Sequence, residues 1–293
     1  MARALITGYN GFTGRYVAAE LKERGYEVFG LCHGSASLSD GLFACDLLDR
    51  EMVQKIIKEV RPDYVVHLAA IAFVAHGDVD EMYRTNIVGT RNLLDALATS
   101  GHKPKKVLLA SSANIYGNAT VDPITEDTPP NPANDYAVSK MAMEAMARLW
   151  TDQLPIVIVR PFNYTGVGQT DNFLLPKIVG HFSRKESVIE LGNLDVARDF
   201  SDVRNVARIY ARLLELDTPS GETFNVCSGC STTLSAVIGM LVESTGHNIE
   251  VKVNPKFVRN NEVKTLRGSR EKLDKAIGED QLIPLSDTLE WML

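Results

Sequence analysis

Three glycines set between a short apolar run and a helical pattern constrain this chain more than any other feature. Arg3-Ala4-Leu5-Ile6-Thr7 reads as a strand, and Gly8-Tyr9-Asn10-Gly11-Phe12-Thr13-Gly14 as the turn after it. Tyr16, Val17 and Leu21 then mark one face of a helix that Gly25 closes, before a second strand at Glu27-Val28-Phe29-Gly30-Leu31. This is a β-α-β unit of about thirty residues with glycines at its first turn. The spacing is G-x-x-G-x-x-G rather than G-x-G-x-x-G, but the physics carries over. Backbone without side chains can approach a pyrophosphate, and the free N–H groups and dipole of a helix N-terminus favour the anion. The turn from Gly8 through Asn10, Gly11, Phe12 and Thr13 to Gly14 is therefore the candidate dinucleotide cradle.

The alternation continues. Leu42-Phe43-Ala44-Cys45, Tyr64-Val65-Val66-His67-Leu68-Ala69-Ala70, Lys106–Ser111 and Ile156–Arg160 read as strands. Residues 49–60, 80–100 and 135–150 read as helices between them. The pattern predicts an α/β fold, a Rossmann-type doubly wound parallel sheet with helices on both faces. Ligands then bind beyond the carboxyl ends of the strands, where Gly8, Ala69, Ser112 and the residues after Arg160 all fall. After Pro161 the pattern loosens. Residues 162–199 and 229–293 are expected to form a smaller substrate-binding lobe, with 1–161 as the dinucleotide-binding domain and 200–228 returning to it.

A net charge of −6 leaves no basic footprint, so nucleic acid is not an expected partner. No apolar run approaches the roughly 18 residues of a membrane span, and the N-terminus enters its first strand with no cationic leader. The expectation is a cytoplasmic protein that does not engage a membrane. Cys227 and Cys230 form a single C-x-x-C without a partner pair, and Cys32 and Cys45 stand apart. Free thiols are expected rather than a zinc site or a disulfide. No histidine has a second histidine or a cysteine one helical turn away, so no metal is expected.

Within the helix at 135–150, Tyr136 and Lys140 lie four residues apart on one face. An ammonium held beneath a phenol favours the phenolate and lowers a pKa that is ordinarily about 10. The tyrosine then becomes a usable general acid near neutral pH. The hydroxyl of Ser112, at a neighbouring strand end, can align a substrate oxygen with it. The alternative for a lone Y-x-x-x-K is a packed tyrosine and a solvated lysine; the glycine turn at the N-terminus favours the chemical reading.

Gly8-x-x-Gly11-x-x-Gly14, Asp46-Leu47, His67-Leu68-Ala69-Ala70, Asn86-x-x-Gly89-Thr90, Ser111-Ser112-x-x-x-Tyr116-Gly117, Tyr136-x-x-x-Lys140 and Arg160-Pro161-Phe162-Asn163 occur in that order. Together they resemble the extended short-chain dehydrogenase/reductase family that acts on nucleotide sugars, over nearly the whole chain. The resemblance implies a catalytic triad of Ser112, Tyr136 and Lys140. Asp46 and Leu47 would border the adenine, and Ala69 and Ala70, with Leu68 beside them, the ribose side of the cofactor. The 4,6-dehydratases of that family carry a glutamate two positions after the triad serine or threonine; Ala113 and Asn114 supply no such base.

Segments around Asn163, Arg198-Asp199-Phe200, Asn225–Gly229 and Arg259-x-x-Glu262 resemble family members that reduce GDP-linked 4-keto sugars. The implied activity is NAD(P)H-dependent reduction of the C4 ketone of a GDP-4-keto-6-deoxy-hexose, GDP-4-keto-6-deoxy-D-mannose to GDP-D-rhamnose. Asn163 would hold the diphosphate region, Arg198 and Arg259 its oxygens, and Glu262 the nucleotide ribose. Alternatives are a nucleotide-sugar 4-epimerase that retains NAD and, against the presence of Tyr136 and Lys140, a non-catalytic dinucleotide sensor. The second strand ends at Leu31-Cys32-His33 without a carboxylate to repel a 2′-phosphate, so NADPH is expected, with NADH the alternative. Arg15 and His33 are the candidates to meet that phosphate. The resemblance also implies a homodimer, paired through the helices at 80–100 and 135–150.

Overall fold

The computed structural model describes residues 1–34, 40–72, 78–257 and 265–293. The chain divides into two units: Met1–Gly117 with Pro129–Pro161 and Ala207–Phe224, and Asn118–Thr128 with Phe162–Val206 and Asn225–Leu293. The segment returning to the first unit is therefore 207–224 rather than 200–228. Asn118–Thr128, left by the sequence reading in the first unit, belongs to the second.

In chain order the first unit runs β1 (Arg3–Thr7), α1 (Phe12–Glu23), β2 (Glu27–Cys32), β3 (Leu42–Ala44), α2 (Arg50–Val60), β4 (Tyr64–His67) and α3 (Val79–Tyr83). It continues with α4 (Thr90–Thr99), β5 (Lys106–Ala110), α5 (Asp135–Arg148) and β6 (Ile156–Pro161). The second unit contains β7 (Asn163–Thr165), α6 (Leu174–Ser183), β8 (Val188–Leu191) and β9 (Ala197–Asp202). After these, α7 (Val203–Glu215) and β10 (Glu222–Val226) each have residues in both units. Last come β11 (Ser231–Thr233), α8 (Leu234–Thr245), β12 (Glu250–Val253), β13 (Thr265–Leu266), α9 (Glu271–Ile277) and α10 (Leu285–Met292).

The seven-stranded sheet has the order β10-β6-β5-β4-β1-β2-β3, and its pairings from β6 to β3 are parallel. This is the Rossmann-like doubly wound sheet, with the order reversing on either side of β1. Its strands read as continuous apolar runs because both faces are covered. Leu5, Val65, Val107, Leu109, Ile156 and Ile158 are buried with Val53, Ile57, Leu93, Leu97 and Met143 of the helices. Side-chain caps fix where helices begin: Asp49 accepts from the Met52 N–H at the start of α2, and Asn134 from the Ala137 N–H at the start of α5.

The second unit packs Leu175, Ile178 and Phe182 of α6 with Val237 and Leu241 of α8 and Leu289 of α10. Its larger sheet runs β11-β9-β13, with β7 also parallel to β9.

The helix expected over 80–100 is interrupted at Arg84–Gly89 by a π-helical turn, which holds one more residue than an α-turn. The polar stretch at 197–202 is a strand, mostly buried. Its Asp199 side chain is fully enclosed and accepts hydrogen bonds from the Ser228 N–H and hydroxyl, at 2.7 Å each, and from the Gly229 N–H at 3.0 Å. Three of the cysteines are buried free thiols, and Cys230 is an exposed one.

Candidate active site

The glycine turn begins where β1 ends. Gly8 takes φ +70°, and a Cβ there would lie 2.9 Å from the Ala69 nitrogen, so only glycine lets the two strand ends come this close. A Cβ on Gly14 would collide with the carbonyl oxygens of Gly8 and Tyr9. The first turn of α1 is thereby pressed onto the loop, with the N-terminal end of the helix at the loop's crest. A pyrophosphate fits such a cradle, as the backbone is bare where an anion must approach. Gly11 caps α1, with Phe12 and Thr13 following in its first turn. Asp46 is exposed after β3, and Leu47 is buried with its Cβ about where a side chain on Gly89 would reach.

The strand expected to run to Ala70 stops at His67, because the backbone bends over the glycine turn. The Leu68 N–H donates to the Thr7 carbonyl and the Ala69 N–H to the Thr7 hydroxyl, at 3.2 and 3.1 Å. His67 lies beneath. Its Nε2 is 2.7 Å from the Thr90 hydroxyl, which itself donates to the Asn86 carbonyl, so Nε2 carries the proton. Nδ1 is then the acceptor for the Thr7 hydroxyl, also at 2.7 Å. The ring is neutral: burial, reinforced by the charge of Lys140, pushes it down to about 3.

α5 carries Tyr136 and Lys140, at 8% and 4% exposed, and Ser112 begins the turn after β5 at 6%. Lys140 Nζ donates to the Ala110 carbonyl at 2.7 Å, which anchors its ammonium two residues before Ser112. Burial lowers this lysine to about 8, opposed by the charge of Glu144 one turn along the helix. The Ser112 hydroxyl accepts from the Asn114 N–H at 3.1 Å, which orients its oxygen at the strand end. The Tyr83 phenol donates to Asp135 at 2.9 Å and pins the start of α5.

The π turn also serves this helix. Asn86, 1% exposed, donates to the Ser139 hydroxyl at 2.9 Å, accepts from the Ile71 N–H and donates to the Ile71 carbonyl. The loop after β4 and the helix bearing Tyr136 therefore share one amide.

In the second unit, Asn163 opens β7 and donates to the Asp199 carbonyl at 3.3 Å. Arg198, on β9, donates to the Ala197 carbonyl at 2.9 Å. Arg259 and Glu262 lie outside the described residues.

The sequence reading quoted Tyr116 and Arg160 only as motif positions and passed over Glu144. The structure joins the three. Both Glu144 oxygens accept from Arg160, from Nε at 2.9 Å and Nη2 at 2.7 Å, and Arg160 Nη1 donates to the Tyr116 hydroxyl at 2.8 Å. The available signal was periodicity: Glu144 stands four residues after Lys140 and eight after Tyr136, on the same buried stripe.

A family profile described as the NAD dependent epimerase/dehydratase family matches residues 4–227. Among curated relatives, a GDP-6-deoxy-D-talose 4-dehydrogenase of Aggregatibacter actinomycetemcomitans is 36% identical, over 95% of this chain and 92% of its own. A GDP-6-deoxy-D-mannose reductase of Pseudomonas aeruginosa is 32% identical over 99% and 96%. Among solved structures, a Burkholderia cenocepacia protein provisionally called an epimerase is 53% identical, with TM-score 0.94 over 99% of this chain and 96% of its own. The RMD protein of Pseudomonas aeruginosa, complexed with NADPH, is 31% identical, with TM-score 0.88 over 100% and 97%.

Proposed function

This chain belongs to the NAD-dependent epimerase/dehydratase family, within the extended short-chain dehydrogenases/reductases, and on that premise we propose that it reduces the C4 ketone of a GDP-4-keto-6-deoxy-hexose. It is an NAD(P)-dependent enzyme. The observation that carries the proposal is the buried ammonium of Lys140, tied to the strand that delivers Ser112 and one helical turn from Tyr136. The two curated relatives, named for activity on GDP-6-deoxy-hexoses, support the substrate class.

Gly8, Asn10, Gly11, Phe12, Thr13 and Gly14 would hold the pyrophosphate of the cofactor, with Asp46, Leu47, Leu68, Ala69 and Ala70 along its adenosine and ribose. When bound, the reduced nicotinamide supplies the hydride. Ser112 donates a hydrogen bond to the substrate carbonyl, and Tyr136 protonates the oxygen as it gains charge. Lys140 keeps that phenol acidic and would hold the nicotinamide ribose, so that it and Tyr136 also count among the cofactor-binding residues. Arg198 and Arg259 would grip the diphosphate beside Asn163, with Glu262 on the nucleotide ribose. NADPH is preferred because β2 ends without a carboxylate and Arg15 and His33 stand exposed nearby. With GDP-4-keto-6-deoxy-D-mannose as substrate, the product would be GDP-D-rhamnose. We include in the proposal a homodimer paired through the helical segments at 80–100 and 135–150, and a cytoplasmic setting. Among the described residues, no helix is long and apolar enough to cross a membrane.

Incubation with NADPH and a panel of nucleotide 4-keto-6-deoxy sugars, following cofactor absorbance and identifying the product, tests the proposal. Oxidation of NADPH with GDP-4-keto-6-deoxy-D-mannose is the expected result. Tightly held NAD+ with no net consumption of reduced cofactor would indicate the 4-epimerase instead.

A further inference from the structure

The Glu144–Arg160 pair is a buried ion pair that the reaction described above does not use. Glu144 is 4% exposed, Arg160 5% and Tyr116 fully buried. Enclosing two charges is expensive, and well-packed hydrophobic residues often serve stability equally well. What leucine and methionine could not supply here is twofold. A guanidinium fork grips a carboxylate in one orientation only. A carboxylate also places a negative charge one helical turn from Lys140.

The three residues come from the elements that deliver the proposed triad. Glu144 is on α5 with Tyr136 and Lys140, and Tyr116 is in the short helix that Ser112 caps. Arg160 is on β6, next to β5 in the sheet, with its guanidinium carbon 5.1 Å from the Tyr116 ring centre. The pair thus ties the helix of the proton donor to the turn of the aligning serine.

We propose that Glu144, clamped by Arg160, is a positioning residue for the proton donor, fixing α5 against the Ser112 turn and setting the charge that Tyr136 and Lys140 experience. This rests on the reading of Tyr136 and Lys140 as the proton-handling pair.

Among the described residues, the other ionisable groups on the elements packed around Lys140 leave that charge to Glu144 and Arg160. On α5 itself stand Asp135, Tyr136, Glu144 and the exposed Arg148, which donates to the Gly221 carbonyl and the Thr223 hydroxyl; β4 contributes His67, which is neutral; the turn after β5 contributes Tyr116. From α3, Tyr83 is engaged with Asp135 at the helix start. On the π turn and α4, Arg84 and Arg91 are exposed, and Asp95 is paired with Arg50.

On that reading, the first proton lost from Tyr136 and Lys140 is shared by the pair. Losing it makes the site more negative. Neutralising Glu144 while Arg160 stays charged therefore eases the loss, and neutralising Arg160 while Glu144 stays charged hinders it. A clamp with no electrostatic role would move both variants the same way.

The test is an ultraviolet difference titration of tyrosinate, each protein minus its Tyr136→Phe counterpart, which isolates one of nine tyrosines and needs no substrate. Glu144→Gln is expected to lower the midpoint by about one pH unit and Arg160→Gln to raise it by a similar amount. The alkaline limb of kcat/KM for NADPH-dependent reduction of GDP-4-keto-6-deoxy-D-mannose should move with the midpoint. Should one variant fail to fold, the other carries a signed expectation of its own. Midpoints unchanged from wild type, or displaced in one common direction, overturn the proposal. Turnover that survives Tyr136→Phe would instead remove the reading of Tyr136 as proton donor, while the titration still decides the role of Glu144.

Discussion

Lys140 Nζ rests 2.7 Å from the carbonyl oxygen of Ala110, so the ammonium beneath the proposed proton donor is held by the strand end that leads into Ser112. Replacing Lys140 with methionine keeps most of the buried volume and removes that contact together with the charge. We expect kcat to fall by about two orders of magnitude or more, in the range of a lost acid–base group. Stopped-flow turnover with NADPH checks this. Tyr136→Phe is expected to lose nearly all turnover while NADPH binding, followed by fluorescence, stays close to wild type.

His67 gives the protein an acid-sensitive foundation. Its folded value of about 3 lies below the ordinary 6.5, so between these pH values the unfolded chain binds the extra proton. Stability therefore falls as pH drops below about 6.5, by ~1 kcal/mol per pH unit from this residue within the window. His67→Asn should flatten that slope in urea unfolding measured from pH 7 to 4, even with its overall stability lowered.

Gly8→Ala places a methyl group against the backbone of Ala69 at a left-handed φ. The strand ends must separate, and the proposed dinucleotide cradle opens with them. NADPH affinity should weaken by about two orders of magnitude, on the order of 3 kcal/mol, measured by fluorescence quenching or calorimetry.

Asp199→Asn turns one carboxylate oxygen into an amide that faces N–H donors from Ser228, Gly229 and Gly268. A loss of about 2–3 kcal/mol is expected from the mismatched buried donors. Thermal unfolding of the variant beside Ser228→Ala, which gives up a single hydroxyl donor, should show Asp199→Asn as the more severe.

Local order made the sheet, the glycine turn and the Tyr136–Lys140 stripe readable from sequence, since each rests on spacing within one element. The strand at Ala197–Asp202 was hidden by its own polarity. Arg198-Asp199 shows no strand pattern in sequence, and the N–H groups of Ser228, Gly229 and Gly268 that converge on the carboxylate come from distant segments. Glu144 was hidden similarly, because its partners are Arg160 on another strand and, through Arg160, Tyr116 in another turn. Helical periodicity gave no warning of the π turn either. An extra residue in a helix is tolerated only when tertiary bonds such as Asn86 to Ser139 and Ile71 hold it.

That extra residue makes the helix register a stored rotation. Each residue advances a helix by about 100°, and the widened turn at Arg84–Gly89 accommodates one more than regular coiling would. Excising a single residue there could restore uninterrupted α-geometry, leaving a helix locally more regular than before. The same excision would swing the Asn86 amide around the barrel of the helix, away from Ser139. A change that heals the coil would thus uncouple it from its neighbour.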